Sequence, residues 1–233
     1  MKSKPLMVFI PGTLCTSEVF TQLLKKLPYE TKTIEFNDHD NLNDMAAEVM
    51  HAVGERSFIA IGFSMGGMVA LELIRMNVKQ LAGIVLLNSN CHADLPGRKA
   101  GRDAHLEIAK TQGIETLIKQ EYLPLYFSNS NGPESEVVVK MAAQLGADTL
   151  KSQLKVLAER PDSLSILTNF SKPLLIVGAQ NDQSCPPEHQ QVMARIARQS
   201  ELHILPDCGH FALLQAPTCI AHLINQWVNK YYA

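Results

Sequence analysis

Short apolar runs separated by helical patterns leave this chain few ways to fold. Leu6–Ile10, Ser57–Phe63 and Leu81–Leu87 have strand length, and Thr31–Phe36 is a shorter β-branched run closed by the Asn37-Asp38 turn signal. Between them, Val19–Leu27, Leu42–Val53 and Met65–Met76 carry apolar residues at helical spacing. Asn41 or Asn43 is a candidate N-cap for the second of these, and Gly54 its stop. Continuously apolar strands need cover on both faces, and strands joined through helices run parallel. The pattern predicts an α/β architecture: a mostly parallel sheet of about six strands with helices on both faces.

The alternation stops after Asn88. From Cys91 to Phe170 there is no convincing buried strand, only helix-like stretches at His105–Thr111, Ile114–Tyr122, Glu134–Leu145 and Thr149–Glu159. Breakers at Gly113, Pro124, the Ser/Asn cluster 128–132, Gly146 and Pro161 separate them. A strand at Pro173–Val177, a helix at Pro187–Arg198, a strand at Glu201–Leu205 and a helix at Thr218–Tyr231 then resume the rhythm. Residues 1–90 and 171–233 therefore read as one core, interrupted by a helical insertion at 91–170.

Composition narrows the partners. Lys and Arg number 21 against 23 Asp and Glu, a formal net charge of −2, which gives no general attraction to nucleic acid. No apolar run reaches the roughly 18 residues of a membrane span. Lys2 and Lys4 precede an apolar run, as in a signal peptide, but Leu6–Ile10 is too short and ends at Pro11-Gly12. A cytoplasmic protein is expected. Its five cysteines, Cys15, Cys91, Cys185, Cys208 and Cys219, are scattered without a CxxC pair, which suits reduced thiols better than a disulfide framework or a metal site.

The chemistry centres on Gly62-Phe63-Ser64-Met65-Gly66-Gly67. It matches G-x-S-x-G and lies between an apolar strand and an apolar helix, the context that gives the motif meaning. Glycines 62 and 66 let strand and helix approach, and Ser64 stands at a helix N-terminus beside the carboxyl end of the sheet. A serine hydroxyl needs a base. Seven of the eight histidines (39, 51, 92, 105, 189, 203 and 222) fall on helix faces, in loops or within a strand. His210, in Pro206-Asp207-Cys208-Gly209-His210-Phe211, follows the last strand at the same sheet edge as Ser64. Asp182, in the loop after Pro173–Val177, is the favoured orienting carboxylate over Asp207, which is only three residues from His210. The Met65 amide and one from Pro11-Gly12-Thr13-Leu14-Cys15 are candidate oxyanion donors, with Leu14 preferred and Thr13 open.

With these motifs, and the order Ser64, Asp182, His210, the sequence resembles the α/β-hydrolase superfamily over essentially its whole length. Small bacterial-type carboxylesterases and enol-lactone hydrolases are the most similar in pattern. The resemblance implies the α/β-hydrolase fold with a helical cap at 91–170. It also implies a cofactor-free serine hydrolase that cleaves small, largely apolar carboxylic esters through an acyl-enzyme on Ser64. Two departures stand out: Pro11-Gly12 replaces the frequent His-Gly, and the usual first two antiparallel strands are missing.

The cap is expected to choose the substrate, because fold and site set only the chemistry. Tyr122, Leu125 and Tyr126, with Phe63 and Phe211, are candidate substrate contacts, and Cys15 and Asn90 stand at strand ends near the mouth. His105 reads better as a solvated helix position than as a pocket residue. Either a monomer or a homodimer is expected. A lyase, an acyltransferase or a C–C hydrolase on the same triad remains open, as does a non-catalytic receptor on this scaffold. Ser64 itself argues against a dehalogenase, which needs a carboxylate nucleophile.

Overall fold

A computed structural model describes residues 5–95 and 97–232; Lys2 and Lys4 lie outside them. Six strands, β1 (Leu6–Ile10), β2 (Thr31–Thr33), β3 (Phe58–Phe63), β4 (Leu81–Leu87), β5 (Leu174–Ala179) and β6 (Ser200–Leu205), form one sheet in the order β2-β1-β3-β4-β5-β6. Every neighbouring pair is parallel. The four central strands are those with the longest apolar runs, because each must pack on both sides. β2, at the edge, keeps only three residues of the expected Thr31–Phe36.

Side chains alternate between two cores, as the two-residue strand period requires. Met7, Phe9, Ile59, Ile61, Val85 and Leu175 face one side, with Phe20, Leu23 and Trp227. Leu6, Val8, Phe58, Ala60, Ile84 and Leu174 face the other, under helices Leu42–Val53 and Met65–Arg75. Asn41 caps the first of these helices: its side-chain oxygen accepts the Asp44 amide at 2.9 Å. The expected helix at Val19–Leu27 is instead a 3₁₀ turn, Ser17–Phe20, followed by one α-turn, Thr21–Leu24.

Among the described residues, the segment between β4 and β5 contains no strand. Its first helix starts seven residues earlier than expected, running Arg98–Thr111. Ile114–Leu117 passes through a π-turn, Ile118–Tyr122, into Leu123–Tyr126, where Pro124 sits in the first turn and does not break the helix. Gly146 (φ 77°, ψ −177°) leaves the helical region and divides Pro133–Glu159 into two helices that meet at a kink, where the sequence placed a breaker. No helix of the described residues is long and apolar enough to cross a membrane.

Candidate active site

Parallel strands in register bring four loops to one edge. Ile10 pairs with Gly62, Phe63 with Leu87, Leu87 with Val177 and Ala179 with Leu205. The loops after β1, β3, β5 and β6 therefore emerge together, carrying Thr13, Ser64, Asp182 and His210. Backbone strain gathers there too. Among the described residues five non-glycine residues have positive φ, and four of them, Leu14, Ser64, Asn88 and Asp207, follow β1, β3, β4 and β6.

Ser64 (φ 52°, ψ −116°) turns the chain from β3 directly into helix Met65–Arg75. The turn is fixed on both sides: the Ser64 amide donates to the Leu87 carbonyl at 3.0 Å, and the Ser89 hydroxyl donates to the Ser64 carbonyl at 2.7 Å. The helix can approach this closely only because Gly66 has no side chain; a Cβ there would lie 2.0 Å from the Ile10 carbonyl oxygen. Ser64 gives the helix no side-chain cap, so the Met65 amide belongs to the open N-terminal donors.

The Ser64 Oγ lies 3.0 Å from His210 Nε2, and His210 Nδ1 lies 2.9 and 3.0 Å from the two Asp182 oxygens. An ionised carboxylate only accepts, so Nδ1 carries the proton and Nε2 is free to accept from the serine. Asp182 and His210 are both buried. Asp182 Oδ1 also accepts the Ser184 and Cys185 amides at 2.9 and 2.8 Å, and Asn88 Nδ2 donates to Oδ2 at 2.9 Å. Burial pushes the Asp182 carboxyl up, but His210 and these N–H donors outweigh it and hold the group below the ordinary carboxylate value. Asp207 is exposed, in a left-handed turn.

The helical insertion grips the His210 loop. The His210 amide donates to the Tyr126 carbonyl at 2.9 Å, and the Tyr126 ring stacks on the imidazole with centroids 5.1 Å apart. Gly209 is needed for this approach, since a Cβ would meet the Tyr126 carbonyl oxygen at 2.1 Å. The insertion also reaches the β1 loop. Gln153, 1% exposed, accepts the Leu14 amide on Oε1 at 2.7 Å and donates from Nε2 to the Phe36 carbonyl at 3.1 Å. Leu14, the preferred oxyanion donor in the sequence, thus spends its amide on Gln153, and its buried side chain does not line the cavity. Thr13 does line it, and its amide donates to no group among the described residues.

A cavity of about 360 Å³ opens over Ser64 and His210. Tyr122, Leu125 and Tyr126 line it, as does Asn90, whose amide donates to Cys185 Sγ at 3.4 Å. Phe63 and Phe211 do not. Both are buried, packed together at 5.0 Å with Phe63 5.3 Å from the His210 ring, so they support the imidazole from the core side. Cys15 is buried too, its thiol pushed up by burial and bonded to the Thr13 carbonyl. His105 is half-buried rather than solvated; it lines the cavity, with Nδ1 2.9 Å from the Tyr122 hydroxyl. Burial lowers the His105 pKa and raises that of Tyr122 to about 12. Its wall is largely apolar, and Arg98, Arg102 and Arg160 add charge to it that the sequence did not suggest. Gln153, Asn88 and these arginines carry no sequence motif and were not expected at the site.

A strained serine between a parallel strand and its helix, backed by His210 and Asp182, is an α/β-hydrolase arrangement. The chain belongs to the alpha/beta hydrolase family, whose model matches residues 7–219. Among curated proteins it is 22% identical to a 2-succinyl-6-hydroxy-2,4-cyclohexadiene-1-carboxylate synthase of Enterobacter sp. (strain 638), over 80% of this chain and 72% of that protein. It is 26% identical to the AB hydrolase superfamily protein YisY of Bacillus subtilis (strain 168), over 83% of this chain and 74% of that one. Among solved structures, a malate-bound thermophilic esterase from Thermogutta terrifontis superposes with a TM-score of 0.88 at 25% identity, covering 99% of this chain and 92% of that one. MenH from S. aureus gives 0.89 at 18% identity over 100% and 96%, a likeness of fold.

Proposed function

We propose that this protein is a serine hydrolase of carboxylic esters, with Ser64, His210 and Asp182 as its catalytic triad. As Ser64 Oγ attacks the ester carbonyl, His210 Nε2 takes its proton. Asp182 holds the ring and stabilises the imidazolium. The amides of Met65 and Thr13 receive the developing oxyanion. When the tetrahedral intermediate collapses, the C–O bond to the leaving group breaks and His210 returns the proton to the departing alcohol. Water, deprotonated by His210, then cleaves the acyl-enzyme, releasing the acid and restoring Ser64. The insertion acts as a cap that shapes the acyl pocket. Carrying this reading is the unbroken hydrogen-bonded chain from Ser64 Oγ to Asp182, with steps of 3.0 and 2.9 Å. A thermophilic esterase among its structural neighbours supports it.

The test is Ser64→Ala against 4-nitrophenyl esters, with fluorophosphonate labelling of both the unaltered and the Ser64→Ala protein. Loss of a triad nucleophile is expected to lower kcat/KM by at least about 10³-fold and to abolish labelling. Turnover unchanged in Ser64→Ala would refute the assignment. Relatives named as synthases favour a second reading, lyase chemistry on the same three residues. Reaction in ¹⁸O-water separates the two, because ester hydrolysis places one labelled oxygen in the acid product and a lyase places none.

A further inference from the structure

The arginines in the cavity wall have no role in ester cleavage itself. Arg98 and Arg102 lie one turn apart on helix Arg98–Thr111, and both line the cavity with Ser64. Arg160, at the end of helix Pro133–Glu159, completes the wall from the other side. The opposing charge is one carboxylate. Asp94 lies 2.6 Å from Arg102 and 3.2 Å from Arg160. Arg160 is otherwise used up by backbone, donating to the His92 carbonyl at 2.9 Å and to the Leu157 carbonyl.

Arg98 pairs with no carboxylate among the described residues, and the buried Arg102 Nε has no acceptor. Among the described residues no Asp or Glu lines the cavity. The helix that carries both arginines begins at the cavity with Gly97 at its N-cap, the Arg98 amide donating to the Leu95 carbonyl at 3.3 Å. Three guanidiniums against one carboxylate leave this side of the cavity with unmatched positive charge. Arg98 is exposed at the rim, whereas Arg102 is half-buried with its Nε unsatisfied, and a planar anion seated against both would supply the missing acceptor.

We propose that Arg98 and Arg102 bind a free carboxylate of the substrate, so that the ester cleaved at Ser64 is a half-ester of a small dicarboxylic acid. This rests on the ester-hydrolase reading above and adds the substrate class. A carboxylate fits the wall better than a bulkier anion because Asp94 already shows how a carboxylate seats between Arg102 and Arg160.

The experiment compares 4-nitrophenyl hemiglutarate with 4-nitrophenyl hexanoate, an uncharged ester of similar length. In the unaltered protein kcat/KM should favour the hemiglutarate by about tenfold or more. The preference should fall by about 10- to 100-fold in Arg98→Gln, the span of one charge-assisted hydrogen bond. In parallel, glutarate and inorganic phosphate are titrated calorimetrically onto Ser64→Ala, with and without Arg98→Gln. Glutarate binding that weakens at least about tenfold in the double variant supports the site independently of turnover.

Ser64-dependent cleavage of the hexanoate without hemiglutarate preference or glutarate binding overturns the inference and leaves the esterase reading intact. Glutarate binding without turnover of either ester overturns the esterase reading and leaves the anion site. Phosphate binding tighter than glutarate overturns the carboxylate assignment.

Discussion

Gln153 is the residue through which the insertion should control the chemistry, and Gln153→Met isolates that control. The substitution keeps the length of the side chain but removes both polar ends. Left behind are the Leu14 amide and the Phe36 carbonyl, which Gln153 now satisfies at 2.7 and 3.1 Å. Each buried group stranded in this way costs about 1–3 kcal/mol, so unfolding free energy should fall by about 2–6 kcal/mol. Leu14 also sits at φ 53°, a conformation about 1–2 kcal/mol uphill for a residue with a Cβ. Its bond to Gln153 helps to hold it there. Once that bond is gone, the loop can relax and the neighbouring Thr13 amide moves. Losing an oxyanion donor outright costs about 10²–10³ in kcat, which sets the upper bound for a displaced one. The prediction is a fall in kcat of about 10- to 100-fold with KM nearly unchanged, because the interaction exists only in the transition state. The pH profile should keep its shape, since His210 and Asp182 are untouched. Steady-state kinetics on 4-nitrophenyl esters, paired with urea unfolding, measures both effects. A folded Gln153→Met protein with unaltered kcat would refute the proposed role of the Thr13 amide.

Two further outcomes follow from the site geometry. Gly66→Ala places a methyl group 2.0 Å from the Ile10 carbonyl oxygen, against backbone that cannot yield, and should cost at least about 3 kcal/mol, read as a lowered thermal midpoint; a midpoint within a degree or two of the original would mean that the elbow is looser than described. Asp182 titrates below its ordinary value of 3.8 in the folded chain, so between the two values the unfolded chain binds more protons and stability rises with pH. Its contribution is fully present above pH 3.8 and is lost as pH falls through the lower folded value. Asp182→Asn should flatten that acid limb in urea unfolding from about pH 5 to about pH 2, and an unchanged limb would contradict the depressed pKa.

What the sequence revealed was set by local physics. Leu6–Ile10, Phe58–Phe63 and Leu81–Leu87 read as buried strands because apolar continuity over a short run leaves no other economical fold. Ser64, Asp182 and His210 could be placed at one edge because each follows a strand of a parallel sheet, and parallel strands end together. β2 was overdrawn because an edge strand has one partner and ends where that pairing ends, at Thr33. The insertion was harder to read. Residues 98–104 look like a solvated stretch, yet they form the first half of a helix whose arginines face a cavity. Gln153 is 139 residues from Leu14, and its neighbours Leu150 and Leu154 make it look like a polar intrusion in an apolar face. Contacts at that separation leave no periodic trace.

The insertion supplies most of the cavity wall, and it also touches two pieces of the proposed machinery by hydrogen bond: the β1 loop through Gln153 and the His210 loop through the Tyr126 carbonyl. Substrate choice and catalytic geometry are therefore mechanically linked. A helix shift that widened the cavity would carry the Tyr126 carbonyl with it and disturb the imidazole, since the His210 amide donates to that oxygen at 2.9 Å. In a fold where the sheet fixes Ser64 and Asp182, His210 is the member exposed to this coupling, because of the three loops that carry these residues only its own is hydrogen-bonded to the insertion among the described residues. New substrates should then be accommodated more readily by exchanging side chains on the wall, Leu125 or Arg98, than by moving its helices.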